Sequence, residues 1–280
     1  MLPTVIIMGH KIGSYTICAV LGLLVIVLYE NVAVKRRTDL DSIQFVNVAV
    51  ISGLGAFFGA HLLFAITNWR MLIFAVSHPD QTFISFRSFA KLFLDIFGGM
   101  VYYGGLIGGI ISGAFYINHI KHIKLNFYSY ADAYAPAIAL FHSFGRVGCF
   151  LGGCCYGIEC RWGFVYHLAP IPEANGVVRL PIQLIEAAGN LIIFFLLSTL
   201  NKKKHPNGMI FTLYLCLYPT MRFILEFFRG DPIRGFICGL STSQWISIIL
   251  ILVSFVLFLN IRDQKNDESD EYKTLNLNQN

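Results

Sequence analysis

Four polar residues of one apolar stretch recur at intervals of four, four and three: Tyr218, Arg222, Glu226 and Arg229. On a helix that spacing places them on one face. Two further ionisable residues, Arg146 and Glu186, interrupt other apolar runs. A guanidinium pairs with a phosphate or carboxylate through two parallel hydrogen bonds, so arginines converging from different helices describe an anion site. The competing reading is a structural pair in which Arg222 and Glu226 neutralise each other. Arg146 tips the balance, because its addition leaves positive charge without a counter-ion.

These residues must be positioned by membrane helices. The chain has 280 residues, 56% of them hydrophobic and only 13% charged, with a mean hydropathy of +0.63. Soluble domains are about a quarter charged, and the apolar residues here fall in long unbroken runs. That excludes a soluble domain, a disordered chain and a nucleic-acid binder. Runs free of charge extend over 12–29, 42–69, 96–120 and 235–261. Three more, 133–158, 180–201 and 206–228, carry the charges just named. A span needs about 20 apolar residues. The expected fold is therefore all-α, a polytopic bundle of seven transmembrane helices with a small extracytoplasmic head. Residues 1–261 form the membrane domain, and 262–280, rich in Asn, Asp and Glu, read as a disordered cytoplasmic tail.

Basic clusters set the orientation. Lys35-Arg36-Arg37, Lys121 with Lys124, Lys202-Lys203-Lys204 and Arg262 with Lys265 all fall on one side of alternating spans. Short basic loops stay in the cytoplasm, so the N-terminus is expected outside and the C-terminus inside. No cleavable signal peptide is evident. The longest outer connections cover roughly 67–95 and 159–180, and the segment 87–97 segregates charge at helical spacing as an interfacial helix would.

Depth follows from a rise of about 1.5 Å per residue: Arg146 lies about 22 Å, and Arg222 about 21 Å, from the cytoplasmic ends of their helices. Glu186 and Tyr103 lie about 8 and 9 Å below the outer ends of theirs. Tyr15 is close to the outer end of the first span. Five helices thus send polar groups into the outer half of the bilayer, where the available anion is a phospholipid head group. The glycines of 98–113, with Gly55 and Gly59, recur every four residues and read as flat packing faces.

Four of the seven cysteines fall in one run: Cys149, Cys154, Cys155 and Cys160. Their spacing matches neither a zinc ribbon nor a thioredoxin motif. A disulfide or small apolar fillers are the first reading, a redox or thiol-transfer role the second, a metal site the third. No metal or cofactor is expected. Of the histidines, His142 lies one turn before Arg146 and reads first as a packing residue.

The stretch 129–157, through Asp132, Pro136, Gly145, Arg146, Gly148, Phe150 and Gly157, resembles the signature of the bacterial prolipoprotein diacylglyceryl transferase family. The stretch 217–232 is similar to that family's second motif through Tyr218, Arg222, Phe223, Glu226 and Arg229. Further similarity lies in GGMVYYGGLIGG (98–109), in Pro181, Gln183 and Glu186, in Ser243 and Gln244, and in Tyr15. The resemblance implies a seven-helix enzyme of the bacterial plasma membrane. It would transfer the diacylglyceryl group of phosphatidylglycerol to the cysteine thiol of a prolipoprotein signal peptide, releasing glycerol phosphate. It implies Tyr103, Arg146 and Arg222 as catalytic residues, and Tyr15, Gln183, Glu186, Tyr218, Glu226 and Arg229 as substrate-binding. The chain departs from the family at Tyr103, where a histidine is usual, at Cys149 and Cys154, where Asn and Glu stand, at Gly152 for Asn and at Leu180 for His. A paralogue with other thiol or lipid chemistry, and a non-catalytic lipid-binding protein, are the alternatives.

Overall fold

The computed structural model describes residues 2–34, 40–77, 85, 88, 91–93, 96, 102–119, 127–231 and 236–277. Its helices are α1 (Ser14–Val34), α2 (Ser42–Thr67), α3 (Trp69–Ser77), α4 (Tyr102–His119), α5 (Phe127–Gly152), α6 (Ile182–Leu200), α7 (Met209–Glu226) and α8 (Thr242–Leu277). Five of them, α1, α2, α6, α7 and α8, are long and apolar enough to cross a membrane. The chain is a polytopic membrane protein. The remaining two expected spans fall on α4 and α5, and α5 carries Asp132, His142 and Arg146 along its length. The segment 87–97 and the basic clusters 35–37 and 121–124 lie largely or wholly outside the described residues. The last helix continues through the polar residues after Arg262, whose side chains from Gln264 onward also lie outside the description.

An all-α reading omits three two-stranded hairpins: β1 (Thr4–Ile7) with β2 (His10–Gly13), β3 (Glu159–Val165) with β4 (Val178–Arg179), and β5 (Phe236–Ile237) with β6 (Leu240–Ser241). The first and third turn on Met8-Gly9 and Cys238-Gly239, all four residues at positive φ. That is the two-residue turn whose twist matches the strands it joins, and glycine at its second position carries the strain-free half. Each of these hairpins leads directly into a long helix, α1 or α8.

The chain divides into two compact units, residues 38–127 and residues 1–37 with 128–280. Within the first, α2 packs on α4 through glycines. A Cβ on Gly104 would run into the carbonyl oxygen of Gly59, and one on Gly108 into that of Gly55. The backbones therefore touch, as small-residue faces permit in membranes. Ser112 Oγ donates across this contact to the carbonyl of Ile51 (3.1 Å).

In the second unit α5, α6 and α7 share a core of Ala135, Ala139, Ile193, Leu197, Ile210 and Tyr214. The small alanines of α5 let its neighbours approach, and Tyr214 fills the remaining space. Helix α7 opens on Gly208 at φ +89°, where a Cβ would strike the Tyr128 ring. Its free N–H groups are satisfied from another helix. The buried Asp132 carboxylate accepts from Gly208 N (2.7 Å) and Phe211 N (2.8 Å). A carboxylate in that position also complements the positive end of the helix dipole.

Candidate functional site

At the far ends of α5 and α7, the segment 153–158 crosses from one helix to the other. Gly230 N donates to the carbonyl of Tyr156 (2.9 Å) and Ile158 N to that of Phe228 (3.0 Å). Behind this crossing Tyr156, Tyr166 and Ala174 form a small buried core, with Arg179 stacked 4.6 Å over the Tyr156 ring. Arg179 also donates to the carbonyls of Glu173, Ala174 and Gly157, so a guanidinium holds this cap together. Burial raises the Tyr166 phenol above its ordinary range.

Beneath the cap the ionisable residues meet. Arg146 Nη2 of α5 lies 2.9 Å from Glu186 Oε1 of α6, and Arg222 Nη1 of α7 lies 3.9 Å from Glu186 Oε2. Arg222 Nη2 pairs with Glu226 Oε2 at 2.7 Å and donates to Ser243 Oγ of α8 at 3.4 Å. Arg229 Nη1 reaches Glu226 Oε2 at 3.9 Å, and its other nitrogens bind both oxygens of Asp231 (2.8 and 2.5 Å). The network thus joins three guanidiniums to three carboxylates. This corrects the expectation of uncompensated positive charge, because Glu186 is the counter-ion of Arg146. Its carboxyl is 3% exposed, and a charge so placed requires a partner.

Two features distinguish the members of the network. Arg146 is the most exposed of its arginines, at 19% against 9% and 11% for the side chains of Arg222 and Arg229. Arg222 Nη1 is buried and makes no hydrogen bond among the described residues, its nearest carboxylate oxygen being Glu186 Oε2 at 3.9 Å. Beside Glu226 a cavity of about 230 Å³ is lined by Phe227, Phe236, Gly239 and Gln244. The Gln244 side-chain nitrogen is likewise buried with no acceptor among the described residues.

The other expected site residues divide. Tyr218 stacks on Tyr214 (5.7 Å between centroids) and lies 4.8 Å from the His142 ring, below Arg222 on the same helix. Tyr214 and His142 approach to 3.5 Å, so His142 is a packed ring within an aromatic stack. Tyr15 begins α1, half exposed, against Gly148 of α5. Gln183 is 1% exposed and fully engaged: Tyr166 Oη donates to it (3.1 Å) and it donates to the carbonyl of Cys154 (2.7 Å). It braces the crossing segment rather than offering free polar atoms. Tyr103 lies in α4, in the first unit, and its side chain is outside the described residues. Asp231 was not among the expected residues. The signal for it was a carboxylate two positions after Arg229, just beyond the apolar run 206–228.

The Sγ atoms of Cys149, Cys154 and Cys155 all lie within 4.8 Å of one another. Cys160 stands apart, donating to the carbonyl of Trp162 (2.7 Å). Hydrogen bonds from the Cys149 and Cys154 thiols, then the charges of Arg229 and Arg146, pull the Cys155 thiol below its usual range against its burial.

Comparison with known proteins bears directly on this geometry. The model of the prolipoprotein diacylglyceryl transferase family matches residues 3–260. The chain belongs to this family of transferases. Among similar proteins, the phosphatidylglycerol–prolipoprotein diacylglyceryl transferase of Clostridium tetani is 32% identical over 253 residues, covering 89% of this chain and 93% of that one. A protein of Clostridium perfringens with the same name, numbered 2, is 32% identical over 262 residues, covering 92% and 94%. The Campylobacter lari transferase is 29% identical over 267 residues, covering 93% of each. The residues of the diacylglyceryl transferase match therefore include the whole arginine–carboxylate network and the cap above it.

Proposed function

We propose that this protein moves the diacylglyceryl group of phosphatidylglycerol onto the cysteine thiol of a prolipoprotein signal peptide. It does so in a bacterial plasma membrane, with seven spans, the cap outside and the C-terminus in the cytoplasm. Residues 1–261 carry the reaction and 262–280 form a cytoplasmic tail. One observation carries the reading: Arg146 and Arg222 flank Glu186, one guanidinium partly exposed and the other with a nitrogen lacking an acceptor.

The reaction breaks a carbon–oxygen bond to phosphate and forms a carbon–sulfur bond. Negative charge grows on the departing glycerol phosphate, and preorganised cations stabilise that change most where water is excluded. Arg146 and Arg222 supply this charge. Glu186 keeps the two guanidiniums apart and aimed, and Glu226 fixes Arg222 while Asp231 fixes Arg229. Tyr15 and Tyr218 flank the lipid, and Tyr103 is carried as a catalytic residue by the family resemblance.

Complementation tests the reading. In a strain lacking its own transferase, this gene should restore lipoproteins whose mass is increased by a diacylglyceryl group. Wild-type protein that is expressed and membrane-inserted, yet leaves lipoproteins unmodified, would overturn it.

A further inference from the structure

Cys149 lies in the last turn of α5, about one turn beyond Arg146, and Cys154 and Cys155 follow in the crossing segment. Their three sulfurs lie within 4.8 Å of one another in every pairing. A zinc–thiolate bond of about 2.3 Å gives sulfur–sulfur edges of about 4 Å in a trigonal or tetrahedral site. The cluster therefore needs only a small contraction to close around an ion. A disulfide accounts for it less well, since any pairing strands the third thiol, and Cys154–Cys155 would close a strained ring between neighbours.

The segment is held as a ligand set requires. Cys154 N donates to the carbonyl of Cys149 (3.1 Å), and the carbonyl of Cys154 accepts from Gln183, itself held by Tyr166. Cys155 sits at φ +56°, a conformation uncommon outside glycine. It directs a thiol toward its two neighbours, in a segment fastened to the α7 end by the bonds from Gly230 N to Tyr156 and from Ile158 N to Phe228. Supporting contacts of this kind orient metal ligands. Three thiolates around a dication carry one net negative charge.

We propose that Cys149, Cys154 and Cys155 hold a zinc-type ion by three thiolates and present its fourth position to the acceptor thiol. Three protein ligands with one open position is the arrangement of catalytic zinc sites, and a thiol that coordinates the ion is deprotonated. The acceptor sulfur then attacks the glycerol carbon: the carbon–sulfur bond forms as the carbon–oxygen bond breaks, and glycerol phosphate takes the electron pair. The thiol proton ends on that phosphate or on water, and no oxidant or reductant is consumed. The acceptor's role rests on the transferase reading, whereas the ion site does not.

The test uses the full chain, reduced and stripped of metal in lipid nanodiscs. Cobalt titration should give a thiolate-to-cobalt charge-transfer band, which zinc abolishes. It should vanish in C149S, C154S and C155S and persist in C160S. Zinc should also protect those three thiols of the wild-type protein from alkylation, read by mass spectrometry, an arm independent of how the variants fold. Zinc should speed transfer about thirtyfold at pH 7, the inverse of the thiolate fraction of a thiol with a pKa of about 8.5. That ratio should shrink as the pH rises past that value. Absence of both the band and the protection overturns the site, as does a disulfide within the trio in protein isolated without reductant. Binding with a zinc-independent transfer rate overturns the acceptor role. Binding with no transfer under any condition leaves the ion site standing and removes the transferase reading instead.

Discussion

The guanidinium of Arg146 and the carboxylate of Glu186 meet at 2.9 Å between α5 and α6, and among the described residues neither has another partner of opposite charge as near. The pair settles how Arg146 is carried so deep in an apolar helix. It also makes Glu186 the pivot of the site, because its second oxygen faces Arg222 at 3.9 Å.

Removing that pivot should be worse than removing either arginine. Glu186→Ala leaves two guanidiniums facing each other across a buried gap, and breaking one member of a buried pair costs about 3–5 kcal/mol. Thermal denaturation in detergent should show the largest loss for Glu186→Ala. Glu186→Gln, which retains a hydrogen-bond acceptor, should be intermediate. A wild-type melting profile for Glu186→Ala would contradict the role.

Arg146→Ala and Arg222→Ala should each slow transfer at least about tenfold, since one charge-assisted contact is worth about 1.5–3 kcal/mol. Lysine should not rescue either position, because an ammonium lacks the paired planar donors. Rates are to be compared at equal amounts of folded protein in the membrane. Full activity in both alanine variants would exclude the phosphate contact.

Much of this network was legible in the residues. Arg222 and Glu226 are four apart, so their pairing follows from helical geometry alone. Arg146 and Glu186 are forty apart on different helices. Depth along the spans aligned them, but no local rule says that Glu186 faces an arginine rather than a ligand. The hairpins were legible and passed over: Met8-Gly9 and Cys238-Gly239 are glycine-ended turns, masked by the apolar runs beside them. Gln183 shows the opposite case. A glutamine at the head of a span reads as a ligand contact, and only the fold reveals Tyr166 and Cys154 consuming its two ends.

Gln183→Leu should therefore act on the cap. It leaves Tyr166 Oη and the Cys154 carbonyl without their partners, a penalty of about 1–3 kcal/mol for each buried group. Hydrogen exchange at 153–158 should accelerate while the helices stay protected. Unchanged exchange there would show that the brace is dispensable.

Asp132→Ala should lower thermal stability by about 1–2 kcal/mol, the usual worth of a lost helix cap. Asp132→Asn should recover most of the loss. Transfer by the folded fraction at low temperature should stay near normal, because the carboxylate is spent on Gly208 and Phe211. A large rate loss without a stability loss would assign Asp132 to the chemistry instead.

Tyr103→Phe should slow transfer by one or two orders of magnitude, about the effect of losing one preorganised donor, and leave phosphatidylglycerol binding intact. Tyr103→His introduces a ring nitrogen at the same position. Higher transfer in Tyr103→His would show that this position serves proton handling, and complete loss would tie the tyrosine itself to positioning the lipid.

Helices α5 and α7 run parallel and are latched at both ends. Asp132 fastens their starting turns, and the backbone bonds from Gly230 to Tyr156 and from Ile158 to Phe228 fasten their finishing turns. Two rods pinned at top and bottom cannot part sideways without breaking one pin. A lipid that must slip in from the bilayer, carrying two acyl chains, is thereby denied the seam between α5 and α7.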